Sequence, residues 1–143
     1  MSPSLSLDTT TPQVTKPAGP GRVLVMDSDA HHRYIYQRAL NHAGYRVDAV
    51  TSLSEAQHLL TRCQYAVFLG DVETALINGE FERLAALCDD LSKKDTSVIM
   101  VADEGHYHLQ SQAAGAAGFI KKPIQVRPLV DLVNNLISSI KQL

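Results

Sequence analysis

From Arg22 onward, short apolar runs alternate with stretches whose apolar residues recur every three or four positions. Val23-Leu24-Val25-Met26 is apolar throughout, as expected of a strand buried on both faces. Ala30 to Ala43 carries a helical stripe of Tyr34, Ile35, Ala39, Leu40 and Ala43, and Gly44 supplies a stop. Tyr45 to Val50 reads as a strand. Ser52-Leu53-Ser54-Glu55 is a capping box whose helix continues through Ala56, Leu59, Leu60 and Cys63. Tyr65 to Gly70 is a third strand. Asn78-Gly79 then opens a helix marked by Phe81, Leu84, Leu87, Cys88 and Leu91. Ser97 to Val101 is a fourth strand, His106 to Gly115 a less apolar helix, and Gly118 to Lys121 a short fifth strand. Leu129, Leu132, Val133, Leu136, Ile137 and Ile140 form the most regular helical stripe, with Pro128 near its start.

Five strands alternating with five helices must run parallel, joined by right-handed crossovers. The expected fold class is α/β, a three-layer doubly wound five-stranded parallel sheet. The flavodoxin-like strand order 2-1-3-4-5 is one of two common choices, and it sets strands one and three side by side at the switch point.

Composition narrows the function classes. The chain has 143 residues and a net charge of −2, which suits one domain and gives no footprint for nucleic acid or an anionic membrane. Residues 1–21 are rich in Ser, Thr, Pro and Gly and are expected to be a flexible tail, with the compact domain at 22–143. No run approaches the ~18 consecutive apolar residues of a membrane span. Cys63 and Cys88 fall in helical stretches without metal-ligand spacing and read as reduced core residues, which fits a cytoplasmic location.

The chemistry gathers at strand ends. Asp71 follows the third apolar run, Asp27 follows the first, and Lys122 follows the fifth, just before Pro123. In an open α/β sheet, ligands bind in the crevice outside the carboxyl ends of the strands. Two acids and one amine there suit a magnesium ion and a phosphoryl group. Magnesium takes oxygen ligands, needs only one or two carboxylates, and keeps several waters. A carboxylate beside it can attack phosphorus to give an aspartyl phosphate. A nearby cation then neutralises the transferring group. Alternation sends Lys121 and Lys122 to opposite sides, and a cis bond at Pro123 would aim Lys122 inward.

With these residues in place, the chain resembles a bacterial response-regulator receiver domain. The resemblance rests on Val23-Leu24-Val25-Met26-Asp27-Ser28-Asp29, Ala43-Gly44-Tyr45, Tyr65 to Val72, Asn78-Gly79, and Ala114-Gly115-Ala116 through Lys122-Pro123. It covers Arg22 to about Lys141. It implies a signalling module of a two-component phosphorelay rather than an enzyme. Asp71 falls on the phosphoacceptor, Lys122 on the family's lysine, and Asp27 on the first of its paired acids. Glu73 falls where a backbone carbonyl joins Asp27 and Asp71 at the metal. The implied donor is a histidine kinase or phosphotransfer protein. The implied output or homodimer surface is the helix 4–strand 5–helix 5 face, from His106–Gly115, Lys121 and Val126–Gln142.

Several positions depart from the pattern. Ser28 stands where the second acid is usual, with Asp29 one place later as the natural cap of the first helix. Ala102 replaces a Thr or Ser at the end of strand four, so the hydroxyl that would draw the aromatic Phe119 inward is missing. Gly70 replaces a bulky apolar residue, and Ala75 a proline. These changes support an alternative: a pseudo-receiver that binds partners without phosphorylation. A flavin or nucleotide enzyme is disfavoured, because Asp27-Ser28-Asp29 stands where a glycine-rich phosphate loop would be. His31, His32, His106 and His108 lack metal-ligand spacing and read as surface. The chain reaches Leu143 without a linker or output domain, so the expectation is either a stand-alone receiver or, slightly favoured, a piece of a larger sensor or regulator.

Overall fold

The computed structural model describes residues 21–141; the expected tail, Gly21 apart, lies outside them. Five strands, β1 (Arg22–Met26), β2 (Arg46–Val50), β3 (Val67–Asp71), β4 (Ser97–Ala102) and β5 (Gly118–Lys121), form one sheet. All pairings are parallel, as the alternation of runs implied, and the order is β2-β1-β3-β4-β5, the flavodoxin-like one of the two common choices. The helices are α1 (Ala30–His42), α2 (Leu53–Arg62), α3 (Val72–Ile77), α4 (Phe81–Ser92), α5 (Tyr107–Ala113) and α6 (Val126–Lys141).

The central strands are buried on both faces because successive side chains alternate. Leu24, Met26, Phe68, Val98 and Met100 point to the layer containing Ala56, Leu84 and Cys88. Val23, Val25, Val67, Leu69, Ile99 and Val101 point to the opposite layer with Leu40, Leu129 and Val133. Each fully buried side chain of this size contributes about 1.5–3 kcal/mol. Gly70 fits because Phe68 and Leu84 already fill its side of the sheet. A Cβ there would lie 3.2 Å from the Phe68 ring and 3.3 Å from Leu84 Cδ1.

Local signals explain several helix boundaries. Asp29 caps α1 by accepting from the His31 and His32 N–H groups at 2.8 and 3.1 Å. Ser52 caps α2 by accepting from the Glu55 N–H at 3.2 Å, while Glu55 reaches back to the Thr51 N–H at 2.8 Å. Gly44 ends the first crossover with φ 101°.

Among the described residues the helices number six, not the five expected. Val72 to Ile77 forms α3, which is too short for a periodic signature. Asn78-Gly79 therefore closes α3 instead of opening α4. The Asn78 and Gly79 N–H groups donate to Ala75 and Leu76 carbonyls, and Gly79 adopts φ +66°. Glu80 precedes α4 without a side-chain cap.

Candidate functional site at the carboxyl edge of the sheet

The register of β1 and β3 builds the centre of the site. Met26 pairs with Gly70, so the next residues, Asp27 and Asp71, stand on adjacent strands at the sheet edge. Both are buried, at 1% and 2% exposure. β5 delivers the cation. The Lys122 N–H donates to the Ala102 carbonyl at 2.9 Å, which continues the β4–β5 ladder by one residue. Lys121 is exposed and Lys122 turns inward, as alternation requires. The Lys122–Pro123 bond is cis.

Lys122 Nζ lies 2.6 Å from Asp71 Oδ1 and 3.0 Å from Glu73 Oε1, with Asp103 Oδ1 at 4.0 Å. Burial alone would lower the ammonium's pKa. Hydrogen bonds and charge from Asp71 and Glu73 outweigh burial and raise it, so the amine stays charged. The Glu73 carboxylate spans two donors, since its Oε2 accepts from the Asp103 N–H at 2.9 Å. Asp71 Oδ2 accepts from both the Thr74 N–H, at 2.9 Å, and the Thr74 hydroxyl, at 2.7 Å. Asp71 is thus the N-cap of α3 as well as the partner of Lys122. Among the described residues the Lys122 ammonium is the one close partner of its Oδ1.

Asp27 is held differently. Its Oδ1 accepts from the Asp29 N–H at 2.9 Å, and its Oδ2 lies 3.2 Å from His32 Nδ1. Burial raises its pKa and the negative Asp71 adds to this. The Asp29 N–H, Lys122 and His32 pull the other way without reversing it. Ser28 lies at the rim, its N–H donating to Thr74 Oγ1 at 2.8 Å.

This donor set fits a hard divalent cation. Two carboxylates share a buried site, one is held above its usual pKa by burial and its neighbour, and Asp71 Oδ1 has unused acceptor capacity. Among the described residues, no three His, Cys, Asp or Glu side chains group as a full protein cage. A magnesium ion, which keeps several waters, does not need one. Glu73 sits in the first turn of α3, so its carbonyl runs along that helix while its carboxylate reaches Lys122.

The structure brings Asp27, Asp71, Glu73 and Lys122 to one edge. Ala102 is fully buried at the end of β4, and Phe119 is half-buried on β5. Phe119 stacks on His108, with centroids 5.0 Å apart and rings 6° from parallel. Sequence reasoning missed Thr74 and Asp103. It also treated His32 and His108 as plain surface, although His32 meets Asp27 and His108 covers Phe119. The polar spacing of Asp71-x-x-Thr74 resembles a cap and was the one signal available.

Comparison with known proteins agrees with this architecture. The family model of the response regulator receiver domain matches residues 23–134. The chain belongs to that family, a class of two-component signalling modules. A CheY-like response regulator receiver domain protein from Methanospirillum hungatei superposes with TM-score 0.77 at 21% identity, covering 87% of this chain and 98% of that one. A response regulator from Thermotoga maritima gives 0.71 at 24%, covering 83% and 98%. The receiver domain of a Francisella response regulator gives 0.71 at 22%, covering 85% and 98%. No curated protein matches the chain.

Proposed function

We propose that this receiver domain accepts a phosphoryl group on Asp71 from a histidine kinase or phosphotransfer protein. The observation that carries this reading is the 2.6 Å contact between Asp71 Oδ1 and Lys122 Nζ, beside the buried Asp27. Asp71 Oδ1 attacks phosphorus. An O–P bond forms, the donor's P–N bond breaks, and the imidazole leaves. Lys122 balances the charge that builds on the phosphoryl oxygens. Asp27 and Asp71 would hold magnesium, which supplies further charge neutralisation. The Glu73 carbonyl would join them only with the first turn of α3 opened.

Partners would meet the face of α5, β5 and α6, where Leu109 and Val126 are exposed. A second copy of the chain is one such partner. Among the described residues no helix is long and apolar enough to cross a membrane. The free thiols Cys63 and Cys88 support a cytoplasmic location.

A second reading, a phosphorylation-independent binding module, has its own support. Thr74 occupies Asp71 Oδ2 twice, and Ala102 brings no hydroxyl to the pocket. Incubation with acetyl phosphate and magnesium, read by intact mass, decides between them. The first reading expects one added phosphoryl group that disappears in Asp71→Asn and without magnesium. Its absence from the wild-type protein, with the fold intact, favours the second.

A further inference from the structure

The Glu73 carboxylate occupies a definite place. It bridges the Lys122 ammonium at 3.0 Å and the Asp103 N–H at 2.9 Å, and Lys122 is at the same time 2.6 Å from Asp71 Oδ1. These are two donors aimed at one anion next to the oxygen that would carry a phosphoryl group. A phosphoryl group built on Asp71 Oδ1 would bring new oxygens into that same space. It would need the same two donors, because a developing oxyanion is stabilised by a nearby cation and an oriented N–H. A carboxylate and a phosphoryl group cannot both saturate them.

We propose that Glu73 is an internal stand-in for the phosphoryl group: its carboxylate fills that group's seat and must swing out before Asp71 is modified. The seat is built for exchange. Glu73 is only half-buried, on the exposed rim of α3, whereas Asp71 beneath it is fixed by Thr74. A carboxylate that leaves can re-solvate at little cost, and the incoming phosphoryl oxygens restore both hydrogen bonds. The resting domain thereby keeps Lys122 neutralised by two acids, and phosphoryl transfer exchanges one of them for the new anion. Glu73 is thus a positioning residue that sets how readily Asp71 is labelled. The inference rests on the phosphoacceptor reading.

The test compares wild type, Glu73→Ala and Glu73→Gln as full chains with acetyl phosphate and magnesium. Labelling of Asp71 is followed by intact mass over a range of acetyl phosphate concentrations. Glu73→Ala is expected to label faster by on the order of tenfold, the worth of one hydrogen bond to a charged group. Glu73→Gln, which keeps an acceptor for the Asp103 N–H but no longer sets a negative charge against Lys122, falls between. The Asp103 amide resonance gives an independent readout: it should move in unlabelled Glu73→Ala and stay near its resting position in labelled wild type. A merely structural Glu73 predicts lower thermal stability with no gain in rate. Equal or slower labelling of Glu73→Ala, with wild type labelled, overturns this inference alone. Absence of labelling in all three proteins overturns the phosphoacceptor reading, and this inference falls with it.

Discussion

Thr74 binds Asp71 through two groups at once, its N–H at 2.9 Å and its hydroxyl at 2.7 Å, both on Asp71 Oδ2. Capping α3 therefore leaves Oδ1 as the oxygen available for chemistry. The same hydroxyl accepts from the Ser28 N–H, so Thr74 also ties α3 to the loop after β1. Replacing Thr74 with Val keeps the shape and removes the hydroxyl. Thr74→Val is expected to lose about 1–3 kcal/mol, because the Ser28 N–H and a buried carboxylate oxygen each lose a partner. Urea unfolding checks this, and an unchanged midpoint would refute it.

Among the described residues, Lys122 is the one ammonium facing Asp71 and Glu73 together. Lys122→Met leaves a buried acid without its cation, a loss of about 3 kcal/mol. The double variant Asp71→Asn/Lys122→Met should be less destabilised than the two single losses added, by roughly 1–3 kcal/mol. Strict additivity in chemical denaturation would show that the 2.6 Å contact carries no coupling.

Asp27 and Asp71 were legible because each stands at the end of a buried apolar run, and Lys122 because it follows the half-buried strand Gly118–Lys121. The run fixes the strand, and the fold rule places its end. The rest was hidden for physical reasons. Glu73, Thr74 and Asp103 act through side chains whose direction depends on the turn after a strand, and α3 is too short to leave a period. His32 looked like any polar residue in a first helical turn until β1 brought Asp27 beneath it. Asn78-Gly79 carried a true turn signal, yet the same pair can close one helix or open the next. Gly70 stood out only as a departure from the family's bulky apolar residue, while the neighbouring Phe68 and Leu84 show why a larger side chain has no room.

That crowding yields a packing prediction. Gly70→Val places two extra carbons against Phe68 and Leu84 beyond an already tight Cβ. The expected cost is about 1–3 kcal/mol. Pairing it with Leu84→Ala should recover part of the loss, as seen by thermal unfolding. If the pair is no better than the sum of its parts, the clash lies elsewhere.

Cys88 is fully buried, and burial pushes its thiol up from 9.0 to about 11, with Asp89 adding to the shift. The unfolded chain ionises first as pH rises. The thiol's contribution is therefore fully present below pH 9.0 and is lost progressively up to about pH 11. Stability measured against pH should fall across that window by about 2–3 kcal/mol more in wild type than in Cys88→Ala. Parallel curves would sink the assignment. A chromogenic disulfide reagent at pH 8 should modify the half-buried Cys63 and spare Cys88 until the protein unfolds.

Phe119 and Ala102 bear on switching. The ring lies flat against His108, and the fully buried Ala102 offers no hydroxyl to draw it toward Asp71. Position 102 therefore gives the ring no differential interaction with the charge at Asp71, and a ligand shifts an equilibrium only by its differential interaction with the two states. The chain contains no tryptophan, so Phe119→Trp installs a single reporter. Its emission should stay fixed when intact mass shows Asp71 labelled. Removing the stacked partner, in Phe119→Trp/His108→Ala, should shift the emission to the red, because the ring loses its cover. A shift on labelling in the single variant would mean the aromatic moves without a hydroxyl to pull it. Another group, the Asp103 N–H or Lys122 released by Glu73, would then have to carry the signal from the pocket to β5.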